Sequence, residues 1–267
     1  MNSIHLPKRI VVAFFLLLAF SSCAISIGQN DIKAEREDTL LFETNNDINT
    51  LKIDSYNGRI TLISNQDSSI IQGSAETWAY ADNEEQAQKR LAKISWNFTQ
   101  KGRTLVLRLS GSNGGSNIKT LSVPANWNLD LNTENGRIEI SKGFKSITAQ
   151  SNNGAINIEG GHDVEAETSN GKITYSGSAE RFHLESANGR ISIQLDGNWN
   201  GSGKASSSNG NISLICSGII DARLTSFSNS SEPYIYGPGL SGNRGKGELS
   251  LVTGNGSINI AHSVSIL

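Results

Sequence analysis

The 267-residue sequence predicts an all-β fold, a parallel β-solenoid (β-helix) with coils of about 18 residues and one short helical insertion or cap. Three observations lead there. One phrase recurs as TENGRIEI, SNNGAINI, TSNGKITY and SANGRISI, with Asn-Gly pairs at Asn135, Asn153, Asn170 and Asn188, at intervals of 18, 17 and 18 residues. The same phrase returns as SYNGRITL at Asn57, SSNGNISL at Asn209 and TGNGSINI at Asn255, so it covers most of the chain. Finally, 27 glycines with only 6% aromatic residues describe a chain of many turns and short strands.

Taken in order, the chain opens with Lys8 and Arg9, an apolar run from Ile10 to Phe20, and then Ser21, Ser22 and Cys23. This is the pattern of a secretory leader over 1–22. Eleven apolar residues span about 16 Å as a helix, short of the ~30 Å bilayer core. The small residues before Cys23 look like a bacterial lipobox, although Phe20 stands where leucine is usual, and lipidation of Cys23 is the expected anchor. Ordinary signal cleavage nearby is the alternative. Only Cys216 would then remain, with no second cysteine for a disulfide; it follows Ile212 and Leu214 at even spacing and reads as a small buried hydrophobe.

Residues 23–48, with DIKAERED and FETNND, show little apolar periodicity and suit a solvated tether. The folded body is expected over 49–267. LKIDSYNGRITLI alternates apolar and polar residues on both sides of Asn57, as strands do. A helical insertion is expected over 82–94, with Asp82 as its cap, Glu84 and Glu85 in the first turn and Lys89, Arg90 and Lys93 towards the end. ISWNF and TLVLRL around TQKGR read as a hairpin, SGSNGGSN as a loop, and LSVPANWNLDL as the lead into the regular repeats. Between Asn209 and Asn255 the interval widens to 46, enough for further coils; LTSFSNSSEPYIYG reads as a degraded one and GPGLSGNRGKG as a surface loop.

Counting from each Asn, positions −6, −4, +3 and +5 should share the inward face. They hold 27 apolar residues out of 28, against about 10 expected from the 36% apolar composition. Position +3 is Ile60, Ile138, Ile156, Ile173, Ile191, Ile212 and Ile258. The exception is Gly203 at −6. Position −2 is always Ser or Thr. The pairs Asn57-Gly58, Asn135-Gly136, Asn153-Gly154, Asn170-Gly171, Asn188-Gly189, Asn209-Gly210 and Asn255-Gly256 are expected to form a structural turn ladder. In it the glycine supplies positive φ, and the Asn amides and −2 hydroxyls satisfy one another's polar groups. Asn-Gly is also the strongest hairpin signal, and parity alone fits both a two-residue hairpin and a stacked coil. The steady interval favours the coil.

The run SVPANWNLDLNTENGRIEI, the T/S-x-N-G-x-I-x-I phrases after it and the acidic-capped helix before it resemble the bacterial "putative adhesin" β-strand-repeat domains, over about Leu51 to Ile260. The resemblance implies a right-handed β-solenoid on an exported or membrane-attached protein. It implies no catalytic residues.

Chemical motifs are sparse. Gly237, Gly239 and Gly242 match G-x-G-x-x-G, but no helix follows. Gly245 and Lys246 miss the phosphate-loop pattern, and His162, His183 and His262 lack metal-ligand spacing. No cofactor or metal is implied. The formal net charge of −2 argues against nucleic acid as a partner. Outward at +2 stand Arg59, Arg137, Lys172 and Arg190, and at −3 Asp54, Glu167 and Glu185, a basic and an acidic ridge on either side of the Asn-Gly edge. Charge balance between coils is the plain account; a surface-binding ridge for a polymer such as glycan is the functional one. The expected function is a non-enzymatic cell-envelope binding or scaffold module, lipid-anchored at the outer membrane, whose partner is a glycan or another envelope protein. The alternatives are a carbohydrate-active β-helix enzyme, for which Glu165, Glu167 and Glu185 are the nearest candidates, and an envelope-stress regulatory partner.

Overall fold

The computed structural model describes residues 32–45, 47–66, 69–236 and 245–262. The leader, Cys23 and the glycines at 237, 239 and 242 lie outside them. The described chain is all-β apart from one helix, and its strands form two large, mostly parallel sheets. The strands in order are β1 (Ile32–Glu43), β2 (Thr50–Asp54), β3 (Ile60–Asn65), β4 (Ile70–Ala81), β5 (Ser95–Lys101), β6 (Thr104–Ser110), β7 (Gly114–Pro124) and β8 (Asn128–Thr133). The repeats continue with β9 (Ile138–Ile140), β10 (Ser146–Ser151), β11 (Ile156–Glu159), β12 (Asp163–Thr168), β13 (Ile173–Gly177), β14 (Arg181–Ser186), β15 (Ile191–Leu195), β16 (Ser202–Ser207) and β17 (Ile212–Cys216). The last four are β18 (Ala222–Ser228), β19 (Tyr234–Tyr236), β20 (Gly247–Thr253) and β21 (Ile258–His262).

Each Asn-Gly marks a crossing from one sheet to the other, not a hairpin. In the first sheet β9, β11, β13, β15, β17 and β21 lie side by side, and in the second β8, β10, β12, β14, β16 and β20 do so. All these neighbours are parallel and in register: Leu129 meets Ile147, which meets Val164, Phe182 and Gly203 in turn. Equivalent residues therefore stack, and the inward positions merge into one core in which none of the 27 apolar side chains exceeds 4% exposure. Gly203 has a packing reason. A Cβ there would lie 2.2 Å from Cζ of Phe182, whose ring fills the space and packs between Tyr175 and Trp199 at 5.7 and 5.5 Å.

Tyr175 replaces the usual Ile or Leu at +5 and is fully buried; its hydroxyl accepts a hydrogen bond from the Ala179 N–H at 2.8 Å. Burial pushes that hydroxyl up to about 12, with the Ala179 N–H opposing. An unfolded tyrosine titrates near pH 10. The contribution of this group is therefore complete below pH 10 and is lost as pH rises from 10 to 12, where the folded state retains a proton that the unfolded state releases. We expect the unfolding free energy from urea titrations to fall over this window by an amount on the order of 2–3 kcal/mol. Tyr175→Phe should be less stable at neutral pH but should lose that slope; an unchanged slope would assign it to another group.

The N-terminal end is closed differently. The stretch expected to be a tether is structured from Ile32 onward: β1 pairs antiparallel with β4 over twelve residues, burying Ala34 and Leu40. β4 pairs antiparallel with β7, and β7 joins β3, so these strands extend the first sheet beyond the repeats. The helix α1 (Glu84–Leu91) is shorter than the expected 82–94, and its cap is Asn83 rather than Asp82: the Asn83 side chain accepts from the Gln86 N–H at 2.9 Å. α1 buries Ala87 and Leu91, and Arg36 of β1 donates to the carbonyl of Leu91, its last residue, at 2.7 Å and to that of Ile94 just beyond it. A guanidinium here also opposes the negative end of the helix dipole. β5 and β6 form the expected hairpin, turning at Gly102 with φ 59°. The expected glycine loop is partly strand, because β7 begins at Gly114. A Cβ on Gly114 would lie 2.0 Å from the Trp78 carbonyl.

At the other end the stack leaves sequence order. β20 lies between β16 and β18, and β21 between β17 and β19. The last repeat, 247–262, thus fills a place between the repeat of β16 and β17 and the degraded one of β18 and β19, which is displaced to the end. The degraded repeat carries Ser226 opposite Leu251, and Ile235 opposite Ile260 is 47% exposed.

Candidate functional site

The Asn-Gly edge fixes the geometry of everything beside it. Each Asn amide nitrogen donates to the amide oxygen of the previous Asn in the stack: Asn135 to Asn57 at 2.9 Å, Asn153 to Asn135 at 2.8 Å, Asn170 to Asn153 at 2.9 Å, and Asn188, Asn209 and Asn255 likewise at 2.8 Å. Asn57 ends the row on the Gly114 carbonyl at 3.1 Å. One layer inward, the −2 hydroxyls donate to glycine carbonyls of the preceding repeat: Ser151 to Gly136, Thr168 to Gly154, Ser186 to Gly171, Ser207 to Gly189 and Thr253 to Gly210, at 2.7–3.2 Å.

The glycines serve a purpose other than positive φ. Of the seven, only Gly58 has positive φ, and no ladder Asn is left-handed. At Gly136, Gly154, Gly171, Gly189, Gly210 and Gly256 a Cβ would lie 1.7–2.2 Å from the carbonyl oxygen of the glycine below. Close stacking of backbone on backbone excludes any side chain there.

The hydroxyl layer supplies a paired test. Thr168 and Thr133 are both buried, yet Thr168 is hydrogen-bonded while Thr133 Oγ1 has no partner among the described residues. Thr168→Val should cost about 1–3 kcal/mol, because it leaves the Gly154 carbonyl unpaired. Thr133→Val should be close to neutral. Equal shifts in the urea midpoint would show that the glycine carbonyl is not what the hydroxyl serves.

The structure brings the +2 residues into one row beside this edge. The hydrogen bonds Ile60 N to Arg137 O, Ile138 N to Ala155 O, Ile156 N to Lys172 O and Ile173 N to Arg190 O order it as Arg59, Arg137, Ala155, Lys172, Arg190. All four cations are exposed. Arg137 pairs with Glu139 at 3.3 Å, whereas Arg59, Lys172 and Arg190 have no carboxylate within 4 Å among the described residues. No ion pair in the described residues joins this row to the −3 row across the edge. Asp54 pairs with Lys52 and Arg108, and Glu185 lies 3.6 Å from His183, all within the second sheet.

Next to the cations runs a row that the sequence reading passed over. At +4, Thr61, Glu139, Asn157, Thr174, Ser192, Ser213 and Asn259 are in register across the outer face of the first sheet. Six of the seven are hydroxyl or amide side chains. Their alternation with the +3 and +5 core residues was visible, but their alignment into a row needs the parallel pairing.

The other candidates occupy the second sheet. Glu167 lies beside Glu185, and Glu165 beside His183. A shallow groove of about 410 Å³ on that outer face is lined by Thr148, Asp163, Glu165, Arg181, His183 and Lys204 among others. Its charges are partly spent on each other, with Arg181 and Asp163 at 2.6 Å. His162 pairs with Glu180 at 3.0 Å, and the described residues contain no group of three metal-ligating side chains. Cys216 is fully buried, and burial pushes its thiol up, away from the reactive thiolate.

No family model and no curated protein matches the sequence. Among solved structures, the chain is similar to a "putative cell adhesion protein" from Clostridium sporogenes, at 14% identity and a TM-score of 0.33, covering 86% of this chain and 100% of that one. It is also similar to a "putative adhesin" from Bacteroides fragilis (13% identity, TM-score 0.41, 85% and 97% covered) and to another from Parabacteroides distasonis (11%, 0.32, 84% and 97%).

Proposed function

We propose that this is an exported, non-enzymatic binding or scaffold module of the cell envelope, built as a right-handed parallel β-solenoid with coils of about 18 residues. In this reading the leader is removed, Cys23 carries the lipid that holds the chain at the outer membrane, and the solenoid presents an adhesion surface. The observation that carries the proposal is the cation row. Arg59, Lys172 and Arg190 project from a hydrogen-bonded edge without a carboxylate partner among the described residues. Charge balance between coils would pair them; they are left available to a ligand. The backbone beneath them is fixed by the Asn ladder, so little ordering is needed on binding beyond the side chains themselves.

The test is a pull-down from envelope extracts with the soluble body, 32–267, and with the reversal Arg137→Glu, Lys172→Glu, Arg190→Glu. The wild type should capture an extended polymer, and the reversal should lose at least about tenfold of that capture, roughly 1.4 kcal/mol. Capture that survives the reversal refutes the ridge. The anchor is tested separately: labelled palmitate should enter the wild type and not Cys23→Ser.

A further inference from the structure

We infer that the ligand of this face is an anionic glycan, a linear polysaccharide bearing carboxylate or sulfate groups, lying along the stacking direction across the outer surface of the first sheet. This rests on the ridge reading above and adds the chemistry and orientation of the ligand. Two parallel rows carry it. The first is the cations Arg59, Arg137, Lys172 and Arg190, of which three have no carboxylate within 4 Å among the described residues. The second is the adjoining row of Thr61, Glu139, Asn157, Thr174, Ser192, Ser213 and Asn259, in register from strand to strand, whose one carboxylate, Glu139, is paired with Arg137.

A cation row alone would take any polyanion, and a hydroxyl and amide row alone would take any polar surface. Side by side they match a chain that alternates charged groups with hydroxyls. Guanidinium and ammonium groups hold the anions, and short side chains with both donors and acceptors meet the sugar hydroxyls. The spacing fits as well. Neighbouring rungs are about 4.8 Å apart, comparable to the advance per sugar in an extended pyranose chain, and Arg59 to Arg190 spans four rungs, about 19 Å. Among the described residues the opposite sheet offers no such row: Lys52, Arg108 and Arg181 are each within 2.7 Å of a carboxylate, and the strand neighbours of Lys204 are His183 and Ser250, not further cations.

The experiment measures binding of the soluble body to immobilised polygalacturonate, dextran sulfate and neutral dextran at 50 and 200 mM salt. The variants are the quadruple Arg59→Ser, Arg137→Ser, Lys172→Ser, Arg190→Ser; the double Ser192→Ala, Ser213→Ala; and Lys204→Ser on the other sheet. The two anionic polymers separate carboxylate from sulfate as the preferred group. The expected result is binding to at least one of them, weakened at least about tenfold between the two salt concentrations as counterions are no longer released to advantage. The quadruple variant should lose at least tenfold, the double variant severalfold at unchanged salt dependence, and Lys204→Ser nothing. Equal binding to neutral dextran that the quadruple variant still loses would overturn the anionic assignment and leave the ridge standing. Polyanion binding lost in Lys204→Ser but retained in the quadruple variant would overturn both. Vesicles with anionic lipid that bind the wild type more tightly than either polymer would overturn the glycan assignment.

Discussion

Replacing Gly189 by alanine is expected to destabilise the protein by at least about 3 kcal/mol, at or beyond the upper end for overpacked sites. The added Cβ would lie 1.7 Å from the Gly171 carbonyl oxygen, 2.5 Å from its carbon and 2.7 Å from Ser186 Oγ. The nearest two atoms are backbone, so no rotamer change relieves the contact. The neighbouring turns would have to part by more than an ångström, against hydrogen bonds such as Asn188 N to Ser169 O at 2.9 Å and Asn209 N to Ala187 O at 2.9 Å. In a chain of this size the melting midpoint should fall by roughly 10 °C. Gly197 is the control. It has φ 69° with nothing within 4 Å of a Cβ, so Gly197→Ala should cost only about 1 kcal/mol of backbone strain. Similar losses in the two variants would return the ladder glycines to a conformational role.

Ending the chain at Lys246 should have the other large effect. It removes Leu249, Leu251, Ile258 and Ile260, each at most 1% exposed. At roughly 1.5–3 kcal/mol apiece this is about 6–12 kcal/mol, the scale of a whole domain's stability. The damage should not be uniform. Among the described residues β18 pairs with β20 and β19 with β21, so 222–236 would lose these strand partners. Ser226 and Pro233 at its inward positions make it a poor substitute against Ala205 and Ile212. Hydrogen exchange should therefore show fast exchange throughout 222–236 and in β16 and β17, with protection retained in β8 to β13, as expected where each repeat contacts only its neighbours. Retained protection in 222–236 would mean that the degraded repeat can dock directly on the preceding one.

The core was legible because repetition multiplies a weak signal. A single Leu-x-Ile-x-Ser is ambiguous, but +3 isoleucine in seven copies is not, and all seven are at most 1% exposed. Other features needed contacts that the sequence does not display. β1 was read as tether because only Ala34 and Leu40 of its twelve residues are buried apolar groups, spaced among charges that it pairs with β4 and β7, as Glu37 does with Lys119 at 2.7 Å. The displaced last repeat was hidden for the opposite reason. Its phrase is so regular that it fits any place in the stack, and only the weakness of 222–236 hints that the orderly repeat is the inner one. Of the candidate site, the cations were visible as residues at +2, but the isolation of three of them from carboxylates depends on distances across strands. The hydroxyl and amide row beside them likewise exists only once the register is known.

The Asn row has a direction. Every amide turns its nitrogen towards the N-terminal end of the stack and its oxygen towards the other, from the Gly114 carbonyl to Asn255. Rotating one amide by half a turn would set two N–H groups against each other on one side and two oxygens on the other. The seven can therefore reverse only together. Hydrogen bonds in such a series polarise one another, by roughly 10–30% per bond. Interior amides are thus held more firmly than terminal ones, and fraying should begin at Asn255, in the repeat that stands out of sequence order in the stack. The edge that spaces the turns of chain also gives the stack a head and a tail.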